Sequence, residues 1–255
     1  MINNNLRLDG KTSVITGAAS GIGREIALLF AQHGSNIALI DLDKEKLNEV
    51  KAESASKAEV FLADITSEQE VQDVFKQIEA TFGGVDILVN CAGIFSPGAV
   101  AETEFEQWKK ILGVNLDGAF LCSKYAAEAM LRKEVGGSII NISSEAGLLA
   151  LAGQTAYNVS KAAMISLSQC MAVDYALKNI RVNCVCPGRV LTPLVQNIID
   201  SSDNPAETLR ELSSDRPMMR MGNPRDIAYA CLHFADESMP YATGAVLAVD
   251  GGSTA

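Results

Sequence analysis

Residues 14–25 read VITGAASGIGRE, a β-branched apolar run that breaks into three closely spaced glycines, Gly17, Gly21 and Gly23. A strand that ends in glycines and leads into a helix has a physical logic. Gly17 lets the chain turn sharply, and Gly21 and Gly23 let backbone and helix approach with no Cβ between them. The helix that starts near Gly21 then points free N–H groups and its positive dipole end into the loop, where an anion would be stabilised.

Working outward from this loop, the switch from strand to helix recurs along the chain. Short β-branched runs stand at TSVIT, SNIALID, AEVFLA, VDILVN, SIINIS, IRVNCVC and AVLAVD, and the first six lead into stretches of helical spacing. The alternation predicts an α/β fold: a single-domain, Rossmann-like, doubly wound parallel sheet of about seven strands with helices on both faces. Thr66 and Ser67 mark the start of one helix, and Pro224 opens another at a position where its missing N–H does no harm. No repeat, linker or low-complexity segment interrupts the 255 residues, so one domain over 1–255 is expected. Residues 189–223, with Pro193, Pro205 and Pro217, are the least regular. They predict a mobile substrate lid carrying a helix or two.

Composition excludes several function classes. The 21 basic residues are outnumbered by 31 acidic ones, giving a net charge of −10, and no cationic run offers a nucleic-acid footprint. No apolar run reaches the roughly 20 residues of a membrane span, and the opening MINNNLRLDG lacks the apolar core of a signal peptide. A cytoplasmic protein with no membrane contact is expected. The six cysteines include no C-x-x-C pair and read as reduced core thiols. Cys184 and Cys186 alternate along a strand and so face the same way, but with only His33 and His233 in the chain no metal site is expected.

The glycine spacing, G-x-x-x-G-x-G, differs from the common G-x-G-x-x-G dinucleotide loop, and alone it leaves a plain helix-packing turn open. The next strand favours the nucleotide. It ends in Asp41, 18 residues after Gly23, where a carboxylate accepts the ribose hydroxyls of an adenine nucleotide and repels a 2′-phosphate. With no Lys or Arg at Ser20 or Asp41, NAD is expected over NADP.

Tyr157 and Lys161 stand at i and i+4, which places phenol and ammonium on one helix face. A free tyrosine, with a pKa near 10, acts as a base only beside positive charge, which Lys161 supplies. Ser144 lies 13 residues before Tyr157, at the end of a strand. Together TGAASGIG, NCAG at 90–93, Asn115 in VNLDG, SS at 143–144, YNVSK and CPGRVLTP resemble the short-chain dehydrogenase/reductase family over essentially the whole chain. The family uses this glycine spacing.

The resemblance implies an oxidoreductase that moves a hydride between a nicotinamide cofactor and a carbon bearing oxygen. It assigns Tyr157 to proton exchange with the substrate oxygen and Ser144 to a hydrogen bond with that oxygen. Lys161 holds the nicotinamide ribose and tunes the phenol, and Asn115 helps hold a water linking Lys161 to solvent. Along the cofactor it places Gly17, Ser20, Gly21, Ile22, Gly23 and Asp41, then Asp64 and Ile65 at the adenine and Asn90, Ala92 and Gly93 on the central strand. Pro187, Gly188, Val190 and Thr192 fall at the nicotinamide end. Asp64 also reads as a cap ahead of TSEQE. The chain departs from the family at Cys91, where an asparagine is usual, and weaker bracing of that strand is expected.

For the substrate, Ser96, Glu145, Gln154 and Arg189 flank the site and are too polar for a steroid or fatty-chain pocket. They point to a sugar, polyol or hydroxy acid, with Gln154 and Arg189 joining Ser144 and Tyr157 as substrate contacts. Arg189 reads either as a grip on a substrate carboxylate or as a lid arginine paired with an acidic neighbour. The competing functions are a 3-oxoacyl reductase, which usually takes NADPH and a basic residue at the Ser20 position, and a catalytically idle nucleotide-binding sensor. The resemblance further implies a homo-oligomer, with a tetramer suspected.

Overall fold

The computed structural model describes residues 6–255. Seven strands, β1 (Thr12–Thr16), β2 (Asn36–Asp41), β3 (Ala58–Leu62), β4 (Ile87–Asn90), β5 (Gly137–Ile142), β6 (Ile180–Pro187) and β7 (Val246–Val249), form one sheet in the order β3-β2-β1-β4-β5-β6-β7. Every pairing is parallel. All residues of β1 and β4 are buried, as expected of central strands covered on both faces.

Alternation along the strands sorts the core into two layers. Ile15, Leu39, Val89, Ile140 and Val185 pack under α1 (Gly21–Gln32) and α9 (Pro224–Ala235), against Phe30, Ile227 and Leu232. Val14, Ile40, Leu88 and Ile139 face the other way, toward Val71, Phe75 and Ile78 of α3 (Glu68–Phe82) and Ala126 and Met130 of α5 (Gly118–Lys133). Fully burying a side chain such as Phe30 contributes about 1.5–3 kcal/mol.

The remaining helices are α2 (Lys44–Glu53), α4 (Phe105–Leu112), α6 (Thr155–Tyr175), α7 (Pro193–Asp200) and α8 (Pro205–Ser214). Ser67 caps α3, its side chain accepting from the Glu70 N–H. In the irregular stretch 189–223, Pro193 and Pro205 are helix starters: each sits at N1, after the capping side chains of Thr192 and Asn204. One cysteine departs from expectation, since Cys170 is exposed on α6. None of the six is paired, and Cys184 and Cys186 lie side by side with their sulfurs 4.0 Å apart. Among the described residues, no helix is long and apolar enough to cross a membrane, and no three His, Cys, Asp or Glu side chains group as a metal site.

Strand order reverses between β1 and β4. Chain connections leave in opposite directions there, and a crevice opens at the carboxyl ends of the strands.

Candidate active site

That crevice is a cavity of about 1170 Å³. Pockets for drug-sized ligands run to roughly 1,000 Å³, so this one has room for a dinucleotide and a small substrate together. The glycine loop forms its floor. Gly17 has φ +68°, and a Cβ there would stand 2.8 Å from Ala92 Cα; one on Gly23 would stand 2.2 Å from the Gly17 carbonyl oxygen. Ser20 occupies the N-cap of α1 without a capping hydrogen bond, and the first turn carries no acidic residue, leaving its positive end unneutralised. Asp41 is fixed at the end of β2, its Oδ2 accepting from the Ala19 N–H at 3.1 Å and its Oδ1 from the Leu42 N–H at 2.7 Å. A bare backbone cradle, a free helix dipole and a held carboxylate fit the diphosphate and adenosine ribose of a nicotinamide dinucleotide.

Gly23→Ala is therefore expected to abolish measurable dinucleotide binding in a fluorescence titration while circular dichroism still reports the helical fold. Unaltered affinity would mean that the loop does not hold the diphosphate.

Gly21, Ile22, Asp64 and Ile65 also line the cavity. The Asp64 Oδ1 accepts from both the N–H and the hydroxyl of Thr66, at 2.9 and 2.7 Å. That bond closes a turn ahead of α3, whose cap is Ser67, so the capping reading of Asp64 is corrected to a turn carboxylate that still faces the cavity. Ala92 and Gly93 line it too, but Asn90 does not. Its side chain turns inward instead, donating to Ser123 Oγ at 2.8 Å and Asn141 Oδ1 at 2.7 Å. This corrects its side chain from a cofactor contact to a brace between β4 and β5. The N–H groups of Cys91 and Ala92 both donate to Thr16 Oγ1 at 3.1 Å. With Thr16 and Asn90 tying the strand, the expected weakness at Cys91 has backbone compensation. Burial pushes the Cys91 thiol up to about 12.

Asn115 sits in a π-helical turn (Gly113–Asp117) between α4 and α5, a local widening common at functional sites. It is fully buried and does not line the cavity. Its Oδ1 accepts from the Ile94 N–H at 2.7 Å, and its Nδ2 donates to the Ile94 carbonyl at 2.9 Å and to Ser160 Oγ at 3.1 Å. It therefore acts as a positioning residue, clamping the chain beyond β4 to α6. A Cβ on Gly93 would lie 3.3 Å from Asn115 Oδ1 and 3.4 Å from Lys161 Nζ, so any larger residue there would crowd both groups.

The two serines after β5 divide their roles. The Ser143 hydroxyl is buried and donates to the Lys161 carbonyl at 2.7 Å. Ser144 is less buried, lines the cavity, and accepts a 3.2 Å hydrogen bond from the Ala146 N–H, leaving its own proton to donate. Tyr157 faces the same cavity, its ring edge-on to Phe95 with centroids 5.3 Å apart. Lys161 is buried, with Nζ 5.7 Å from the Tyr157 ring centroid and donating to the Ile142 carbonyl at 2.9 Å. At the end of β6, Pro187, Gly188, Val190 and Thr192 complete the wall.

Among the substrate candidates, Gln154, Glu145 and Arg189 line the cavity, whereas Ser96 is bonded to Gln107 and does not. Arg189 Nη1 lies 2.7 Å from Asp215 Oδ2 and donates to the Leu212 carbonyl. Its charge is already matched, which corrects the carboxylate-grip reading to the lid-pairing one. Arg189→Ala is accordingly expected to change KM for an acidic and a neutral substrate by similar factors in steady-state assays.

Sequence reasoning missed Phe95, Thr16 and the partners Asp215 and Arg216. None belongs to a spaced motif, and only the fold brings them to the site.

With this geometry established, comparison with known proteins is direct. The family model described as enoyl-(acyl carrier protein) reductase matches residues 17–254. An uncharacterised oxidoreductase of Thermotoga maritima is 42% identical over 98% of this chain and 100% of its own length. A 3-oxoacyl-(acyl-carrier-protein) reductase from the same organism is 36% identical over 97% and 99%. Among solved structures, a short-chain type dehydrogenase/reductase from Mycobacterium marinum superposes with a TM-score of 0.88 at 33% identity, covering 98% of this chain and 97% of that one. The ligand-free aldohexose dehydrogenase of Thermoplasma acidophilum gives 0.88 and 33%, over 98% and 95%. The chain is an oxidoreductase of the short-chain dehydrogenase/reductase family, which uses a nicotinamide dinucleotide.

Proposed function

We propose that the protein is an NAD-dependent dehydrogenase acting on the secondary alcohol of a polar, neutral substrate such as a sugar or polyol. The observation that carries this reading is a single cavity that joins the Asp41-bearing cradle at one end to Ser144, Tyr157 and the buried Lys161 at the other. When bound, the nicotinamide supplies the hydride acceptor. The protein's part is position, electrostatics and a proton.

In the oxidising direction, Ser144 donates a hydrogen bond to the substrate oxygen and Tyr157 takes the hydroxyl proton as the carbon gives up its hydride. The Lys161 ammonium, held off solvent by the Ile142 carbonyl, stabilises negative charge on the phenol oxygen; in so buried a place that attraction is screened less than in water. Asn115 acts through the backbone it clamps. In reduction the same groups run in reverse, with Tyr157 returning its proton.

Glu145 and Gln154 give the substrate end its polar character. The match to a 3-oxoacyl reductase favours a second reading, acyl-thioester reduction, but Ser20 and Asp41 leave no cation for a 2′-phosphate. The two are separated by comparing kcat/KM for aldoses and polyols with that for hydroxyacyl thioesters. Preference for the thioesters overturns the first reading.

We also propose a homo-oligomer, a tetramer, with the small-molecule substrate as the other partner. Val173 on α6, Leu177 in the turn that follows it, Phe120 on α5 and Leu247 on β7 leave apolar surface exposed that a second copy would cover. We also propose a cytoplasmic location, consistent with the absence, among the described residues, of a helix long and apolar enough to cross a membrane.

A further inference from the structure

Phe95, on the loop that leaves β4, lines the cavity and is 41% exposed. Single exposed apolar side chains are common on the outer surface of a protein. An aromatic ring left open inside a concave site, against the phenol that moves the proton, differs from these because a ligand in the site can cover it.

The chain holds this ring from both sides. Before it, Asn115 accepts from the Ile94 N–H at 2.7 Å and donates to the Ile94 carbonyl at 2.9 Å. Beyond it, the Gly98 N–H donates to the Gly153 carbonyl at 2.7 Å, and the Gly98 carbonyl accepts from the Thr155 N–H at 3.1 Å. These bonds tie the loop to the start of α6, the helix that carries Tyr157. The rings of Phe95 and Tyr157 stand at 85° with centroids 5.3 Å apart. In such a pair one ring meets the other with an edge, so Tyr157 leaves at least one face of Phe95 uncovered. Ile94 and Leu151 add apolar lining to the same cavity, while Ser144 and Gln154 supply polar lining.

A flat apolar face beside proton-transferring groups fits a substrate that is apolar on one face and polar at its rim. A saturated ring bearing hydroxyls has that shape: its C–H groups lie against the negative face of the aromatic, and its oxygens point outward. An open-chain polyol presents no such face. We infer that Phe95 is a specificity-determining residue, a platform on which the ring of a cyclic secondary alcohol lies while its hydroxyl meets Ser144 and Tyr157. The inference rests on the polar-alcohol reading above and narrows it to ring-shaped substrates.

Two pairs of probes test it with NAD: an inositol against a hexitol, and cyclohexanol against hexan-2-ol. The wild type is expected to favour the ring of each pair about five- to tenfold in kcat/KM, the value of an aromatic contact beyond its area. Phe95→Leu keeps apolar bulk without the flat face and is expected to remove most of that preference through KM for the ring. Phe95→Trp is expected to retain it. A preference that survives Phe95→Leu comes from ring rigidity alone and overturns the inference, as does a fall in kcat shared by both members, which marks Phe95 as a mere support for Tyr157. Calorimetric titration of the wild-type NAD complex with the same pairs gives a check that needs neither turnover nor a folded variant, and equal affinities within each pair overturn the inference. Equal use of inositol and hexitol overturns it while the polar-alcohol reading stands. Ring preference confined to cyclohexanol keeps the platform and overturns the polar-alcohol reading instead.

Discussion

Replacing Tyr157 with phenylalanine is expected to lower kcat by about 10²- to 10⁴-fold, the range that a positioned general acid or base contributes. The substitution keeps the ring and its edge-on contact with Phe95, so packing is preserved and only the phenolic oxygen is lost. Dinucleotide affinity is expected to change by no more than about fivefold, the value of one neutral hydrogen bond of roughly 1 kcal/mol. Steady-state kinetics and a binding titration on the same preparation separate the two effects. A kcat within tenfold of wild type would show that the proton travels by another group, and Ser144 would be the one to examine.

The second large effect lies at the other end of the cavity. Asp41→Ala is expected to weaken NAD binding about ten- to a hundredfold, because hydrogen bonds to a charged group are worth about 1.5–3 kcal/mol. NADP binding is expected to improve, since the carboxylate that would oppose a 2′-phosphate is gone. The physical reason is in the loop: the N–H groups of Ala19 and Leu42 fix the carboxylate at the mouth of the cradle. Titration of both dinucleotides against the variant checks this. Parallel changes in the two affinities would show that Asp41 does not face the ribose.

Much of this architecture was legible in the sequence because its cause is local. Strands buried on both faces need continuous β-branched runs, and each of the seven runs is a strand in the expected position. The glycine loop was legible because no other residue tolerates its conformation at Gly17 or the contact at Gly23. Tyr157 and Lys161 were legible because helix geometry turns i, i+4 spacing into a shared face, and Ser144 was legible through the resemblance to the family.

What was not legible depends on long-range pairing. Asn90 belongs to a recognisable motif, yet only the register of β4 with β5 sets it opposite Asn141 and so turns it into a brace. Nothing in the local sequence of Arg189 tells that Asp215, beyond two helices, neutralises it. The stretch 189–223 looked irregular because its prolines break periodicity, whereas Pro193 and Pro205 in fact begin helices. The Glu145 and Arg216 pair is invisible in sequence for the same reason, since the fold alone joins the serine turn to the second residue after α8.

The most direct test of the central claim is absorbance at 340 nm for wild-type protein and Tyr157→Phe side by side, each with NAD and with NADP, across aldoses, polyols and simple secondary alcohols. The expected result is turnover of a polar alcohol with NAD, weak or absent with NADP and lost in the variant. Equal or better turnover with NADP, or activity that survives in Tyr157→Phe, would contradict the account.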